Sequence, residues 1–221
     1  MLDAIVEGRR ILKPVACTNY RAFVDMSGGS SDDATLAIAH RDVASGQIVV
    51  DLVDKQSGKA PFNPRTAVAK FAQRCKKYQV ASVTGDRYAG ETFRRDFTDH
   101  SVGYTVSPLT KSQLYEALEP RINAGEVELL DEPRLREQLL GLVTRGTKVD
   151  HLPGDHDDYA NAVAGAVHLC AAPPIDWEAF VALNAELQSS GPSTVHNEGA
   201  LTTGEEVLLD RLAWLNRRNE Y

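Results

Sequence analysis

Residues 20–53 read YRAFVDMSGGSSDDATLAIAHRDVASGQIVVDLV. Residues 20–25 are a short β-rich run ending on the carboxylate of Asp25, and the Met-Ser-Gly-Gly-Ser-Ser that follows is turn material, so the strand stops at Asp25. Residues 34–40 and 47–53 are two further β-rich runs flanking Ala44-Ser45-Gly46, the pattern of an antiparallel hairpin continuing from the first strand. The chain therefore opens with a three-stranded antiparallel meander.

Downstream the pattern changes. Asn63-Pro64 offers an N-cap with proline at the first helical position, and Val68, Phe71, Ala72, Cys75 and Tyr78 follow at helical spacing. VASVTG at 80–85 reads as a buried strand with Asp86 at its end, then come a short helix at 91–97 and a strand at 102–107. Such alternation needs crossover connections, which adds parallel strands to the meander. Helices are expected at 110–123, with Leu114, Leu118 and Ile122 inward, and at 133–144, with Leu135, Leu139, Leu142 and Val143; VELL at 127–130 fits a strand between them. A polar loop at 145–156 leads to a last helix starting at Asp157-Asp158. Its Ala160, Ala162, Val163, Ala164, Gly165, Ala166 and Val167 are small and apolar on more than one face, so its backbone can approach a sheet closely. The fold class is α/β, a mixed central sheet of three antiparallel strands followed by parallel ones, flanked by helices.

The chain has 221 residues, 43% hydrophobic and 25% charged, which is ordinary for a globular protein and too short for two large catalytic domains. After Pro173-Pro174 the composition shifts: residues 176–187 suit one more helix, 188–204 are linker-like, and 205–218 carry Leu208, Leu209, Leu212 and Leu215 as an amphipathic helix. The expected organisation is an N-terminal linker segment at 1–19, one domain at 20–172, and a tail at 173–221. Twenty-four Lys and Arg against 31 Asp and Glu leave a net charge of −7, which argues against coating nucleic acid or membrane by bulk charge but allows a local basic groove. No apolar stretch approaches the ~20 residues of a spanning helix, and the N-terminus lacks the charge order of a signal peptide, so a soluble, unexported chain with no membrane partner is expected. Cys17, Cys75 and Cys170 are odd in number and widely spaced without a CxxC pair, which fits reduced thiols rather than disulfides or a zinc site.

Three acidic positions share one context: Asp25 and Asp86 at strand ends, and Asp157-Asp158 at a helix start. One such aspartate is ordinarily a turn former or a helix cap. Gathered at one sheet edge, however, carboxylates repel and call for neutralisation by divalent cations. Hard oxygen ligands suit Mg²⁺ or Mn²⁺, and two such ions about 3.5–4 Å apart can activate water and stabilise the leaving oxygen in phosphodiester cleavage. The order of these acids along the strand and helix pattern therefore suggests a nuclease.

FVDMSGGSSDDATLAIAH, VTGDRYAGETF, TKSQLYEALEPRINAGEVELLDEPRLREQLLGL and HDDYANAVAGA, in this order and spacing, resemble the C-terminal nuclease domain of tailed-phage large terminase subunits over residues 20–172. The resemblance implies an RNase H-like fold related to RuvC resolvases. It also implies an endonuclease using two Mg²⁺ or Mn²⁺ ions to cut concatemeric double-stranded DNA in the bacterial host cytoplasm. The partners it implies are the terminase ATPase domain, the portal protein and the small terminase subunit. By motif match it places Asp25, Asp86, Asp157 and Asp158 among the metal-binding acids, with Asp25, Asp86 and Asp158 catalytic. Asp158 is preferred within the pair because it lies three residues before Asn161, a position where such families often carry a further acid and this chain does not.

Secondary candidates are His156, for a metal or phosphate contact, and Arg87, Lys111, Arg145 and Lys148 for DNA phosphates; each also reads as an ordinary surface or capping residue. No GxxxxGK[ST] motif is present, since Gly58-Lys59-Ala60 lacks both the upstream glycine and the hydroxyl residue, so no ATPase motor is expected in this chain. Three rivals remain open. They are a RuvC-like junction resolvase, a non-catalytic DNA-binding or docking module of the same fold, and a sugar-kinase-like protein read from Asp25-Met26-Ser27-Gly28-Gly29-Ser30, for which the chain is too short.

Overall fold

The computed structural model describes residues 2–26, 33–56, 58–59, 61–86, 90–146, 148–152 and 154–171. After a 3₁₀ turn at Leu2–Ala4, the elements are β1 (Ile5–Val6), β2 (Tyr20–Asp25), β3 (Thr35–Arg41), β4 (Ile48–Lys55), α1 (Pro64–Lys77), β5 (Ser82–Gly85), α2 (Gly90–Asp99) and β6 (Gly103–Val106). Then follow α3 (Lys111–Asn123), β7 (Val127–Leu130), α4 (Pro133–Gly141), β8 (Val143–Arg145), β9 (Lys148–Asp150) and α5 (Asp158–Ala171).

Seven strands form one sheet in the order β1-β7-β4-β3-β2-β5-β6. β2, β3 and β4 pair antiparallel, as the meander pattern predicts, whereas β5, β6, β7 and β1 join in parallel. Side-chain alternation sends Tyr20, Ala22, Val24, Leu36 and Ile38 to one face, where they pack with Val68, Phe71, Ala72 and Cys75 of α1 and Phe93 and Phe97 of α2. Phe23, Ala37 and Ala39 point to the other face, against α3, α4 and α5. β4 serves both faces by an irregularity. Ile38 pairs with Leu52 but Ala39 pairs with Val50, leaving Asp51 as a bulged residue, so Val50 and Leu52 lie on opposite faces although two apart in sequence.

α5 is the central helix of its layer and packs across β2, β3 and β4. A Cβ at Gly165 would lie 2.2 Å from Cγ of Phe23, so this position admits no side chain while the helix lies directly on β2. The caps follow the sequence signals. Asn63 accepts from the Arg65 amide at the start of α1, and Thr110 with Gln113 forms a capping box on α3.

The helix expected at 133–144 ends at Gly141; Leu142 is extended, and 143–145 instead pairs with 148–150 in a small hairpin that runs from the end of the expected helix into the expected polar loop. The segment read as an N-terminal linker carries β1, paired with β7, and is tied down further along. The Leu12 amide donates to the bulged Asp51 carbonyl at 2.8 Å, and Arg9 pairs with Glu128. Cys75 and Cys170 are buried free thiols and Cys17 is an exposed one. No helix of the described residues is long and apolar enough to cross a membrane. The helices and linker expected at 176–187, 188–204 and 205–218 lie outside the described residues.

Candidate metal centre

Register places the acids. β2 and β5 run parallel with Val24 opposite Gly85, so Asp25 and Asp86, at the ends of the two strands, emerge at the same sheet edge. α5 brings its first turn to that edge because Gly165 lets it lie on β2. One turn into the helix, Asn161 Nδ2 donates to Asp25 Oδ2 at 2.8 Å. Asp25 is thus within electrostatic reach of each of the other three acids named from sequence, Asp86, Asp157 and Asp158. Burial, first, raises the Asp25 carboxyl from its ordinary value to about 7; the Asn161 bond opposes this, and the charges of Asp86, Asp158 and Asp157 add to it. Asp158 is also pushed up by burial, against the pull of Arg134 and His156.

Asp157 has a different environment. Tyr115 donates its hydroxyl to Asp157 Oδ2 at 2.8 Å, and Lys111 Nζ lies 2.9 Å from the same oxygen and 3.0 Å from Asp150 Oδ1. Burial lowers the Lys111 pKa, but Asp157 and Asp150 outweigh it and hold the ammonium charged. His151 Nε2 is 3.7 Å from a carboxylate oxygen of each aspartate, so Asp150, His151 and Asp157 form a cluster whose ligand atoms all lie within 4.8 Å of one another, with the donor set to hold a metal ion. Lys111, expected to meet a DNA phosphate, is here the internal counter-ion of this cluster.

Orphaned polar atoms mark the same edge. Among the described residues, the buried side-chain atoms without a hydrogen-bond partner are Thr35 Oγ1, Tyr104 OH, Gln138 Nε2, Asp158 Oδ2 and Asn161 Oδ1. Thr35 stands opposite Asp25 in the β2–β3 ladder, and Gln138 Oε1 accepts the amides of Tyr159 and Ala160 at the start of α5. The Tyr104 hydroxyl lies against Gly85. Unsatisfied buried polar groups are costly, and their gathering at one place marks a site rather than a core. Asp158 Oδ2 and Asn161 Oδ1 are unpartnered acceptors, Asn161 bonded through its other amide atom to Asp25 and Asp158 within electrostatic reach of it, so the donor chemistry present fits a hard divalent cation held by oxygen. Arg134 Nη2 stands 3.5 Å from Asp158 Oδ2, ion-pair range without a hydrogen bond.

Arg134 also pairs with Asp33 and lies 5.2 Å over the Tyr159 ring, which fixes its guanidinium beside the acids. Burial works against the Asp33 charge, yet bonds from Gln56 and Lys55 and the Arg134 charge keep its pKa below the ordinary carboxylate value. A cleft of about 340 Å³ opens next to Asp158, lined by Arg134, Gln138, His151, Asp155 and His156 among others. His156 is exposed there, while Arg145 and Lys148 face each other as an exposed cross-strand pair on the β8–β9 hairpin. Arg87 lies outside the described residues. Sequence reasoning did not find Tyr115, Arg134, Thr35 or Tyr104. The inward positions read on α3 are Leu114, Leu118 and Ile122, without Tyr115, and nothing local to Arg134 announces a partner more than 100 residues away in Asp33.

No protein-family model matches the chain, and no curated protein sequence does. Solved structures do. The large terminase nuclease from the thermophilic phage G20c is similar at a TM-score of 0.59 and 17% identity, covering 76% of this chain and 95% of that one. The HK97 bacteriophage large terminase is similar at 0.58 and 15% identity, with 72% of this chain matching 41% of that one. A point mutant of the Sf6 large terminase subunit fragment gp2c, solved with calcium, is similar at 0.52 and 14% identity over 70% of this chain and 88% of that one; the mutant nuclease domain with manganese and beta-thujaplicinol is similar at a TM-score of 0.50. Together with the seven-stranded mixed sheet, these likenesses show that the chain has the RNase H-like fold of phage large terminase nuclease domains.

Proposed function

We propose that this chain is a metal-dependent endonuclease that cuts concatemeric double-stranded DNA during phage genome packaging, acting in the host cytoplasm beside an ATPase motor, a portal and a small terminase subunit. The observation that carries the reading is the gathering of Asp25, Asp86, Asp157 and Asp158 at one sheet edge, where burial and mutual repulsion hold the Asp25 carboxyl near 7. Such a cluster is destabilising unless cations neutralise it. Two Mg²⁺ or Mn²⁺ ions, when bound, would supply an activated water and stabilise the leaving oxygen.

The chain's own groups do the rest. Asp25, Asp86 and Asp158 present the oxygens that would hold the ions, and Asn161 fixes the rotamer of Asp25 through its 2.8 Å bond. Tyr115 and Lys111 hold Asp157 at the back of the site. Arg134, anchored by Asp33, keeps a positive charge at the cleft through which a phosphate would approach, and Arg145 and Lys148 offer contacts to a neighbouring backbone phosphate. The test is incubation of the purified protein with supercoiled plasmid in Mn²⁺, Mg²⁺ or EDTA. Nicking and linearisation only with metal supports the reading; conversion that persists in EDTA, or an intact plasmid under every condition, rejects it.

A further inference from the structure

Tyr104 of β6 carries a hydroxyl with no use inside the fold. Its ring is more than nine-tenths buried and tilts against Phe97 at 5.6 Å, yet the hydroxyl makes no hydrogen bond. Phenylalanine would fill the same space without burying an unpaired oxygen. The hydroxyl reaches over β5 to Gly85, where a Cβ would stand 2.1 Å from it. Gly85 is not at a positive φ, so the backbone conformation does not demand glycine there; room for the tyrosine oxygen does. Glycine within a strand weakens it. Two locally unfavourable residues therefore combine to place one O–H against Gly85, one residue before Asp86. Burial raises the Tyr104 pKa, and the charges of Asp86 and then Asp25 raise it further against Arg94, so the group is a neutral donor within electrostatic reach of both carboxylates.

We propose that Tyr104 is a positioning residue for Asp86, its hydroxyl donating to the Asp86 carboxylate when that carboxylate holds a divalent ion. Carboxylates that ligate metals are themselves hydrogen-bonded, and losing such a supporting donor typically costs about 10–100-fold in metal affinity or activity. The proposal rests on the nuclease reading above. It is tested with the full chain and Tyr104→Phe, which removes only the oxygen.

In EDTA the variant is expected to melt at the wild-type temperature or about 2–4 °C above it, because an unpaired buried hydroxyl is gone. In Mn²⁺ it is expected to need about tenfold more metal for half-maximal plasmid cleavage and to bind Mn²⁺ about tenfold more weakly by calorimetry. A lowered melting temperature in EDTA would show that the hydroxyl serves the fold and would overturn the proposal. Wild type that cuts with Mn²⁺ alongside a variant of equal metal dependence overturns the proposal and leaves the nuclease reading standing. Wild type that does not cut with Mn²⁺ overturns both.

Discussion

Asp25 is the residue on which the electrostatics turn. Its carboxyl has an ordinary value of 3.8 and one of about 7 in the folded, metal-free chain. Between those values the folded state keeps a proton that the unfolded state has lost, so stability is fully present below about pH 4 and falls as pH rises through 7. A tenfold difference in proton affinity between the two states is worth roughly 1.4 kcal/mol, so the melting temperature in EDTA is expected to fall by several degrees between pH 5 and pH 8. Asp25→Asn, which can still accept from Asn161, should flatten that slope and melt above wild type at pH 8; a wild-type curve flat across this range would contradict the assignment. Adding Mn²⁺ should stabilise wild type more at pH 8 than at pH 5, because ligation needs the ionised carboxylates. The acids themselves were legible, since a strand end and a helix start are local patterns. Their partners were not: Asn161 meets Asp25 across 136 residues and Tyr115 meets Asp157 across 42, and only the folded topology joins them.

At the scale of elements, the packing of α5 on β2 sets where the site lies. Gly165→Ala would put a methyl group 2.2 Å from the Phe23 ring, so the helix must lift from the strand or the ring must leave its rotamer. The expected cost is about 1–3 kcal/mol, read as a lowered urea midpoint, with cleavage falling further because Asp157 and Asp158 ride on the displaced helix. Phe23→Leu in the same chain should restore part of the midpoint; no loss in Gly165→Ala alone would show that the helix stands further from the strand. The small-residue run of α5 announced this approach, and the β-rich runs between turn residues announced β2, β3 and β4. Where the sequence pattern misleads, the physics is ambiguous: Leu142 and Val143 continue the apolar spacing of α4, but Val143 and Thr144 are β-branched and pair with 149 and 150 instead. β1 has two residues, too few for any periodicity, and the Asp51 bulge has no sequence signature of its own.

For the whole molecule, a net charge of −7 and an acidic cluster at the sheet edge mean that, on the nuclease reading proposed above, a DNA backbone would be held by a few local cations. Arg145→Ala with Lys148→Ala should weaken binding to all sequences about equally and reduce the salt slope by roughly one for each phosphate no longer neutralised, measured by fluorescence anisotropy across a salt series. A change in cleavage-site preference instead would make the hairpin a reader of bases. The central claim is that the carboxylates gathered at the sheet edge hold the ions that cut DNA, and it is tested most directly by plasmid cleavage in Mn²⁺ with wild type, Asp25→Asn, Asp86→Asn and Asp158→Asn, each first shown to be folded in EDTA. The account predicts a cutting wild type and three folded variants whose cleavage is reduced by at least about a thousandfold, the equivalent of roughly 4 kcal/mol of lost transition-state stabilisation. Wild-type rates in a folded Asp25→Asn chain would contradict it.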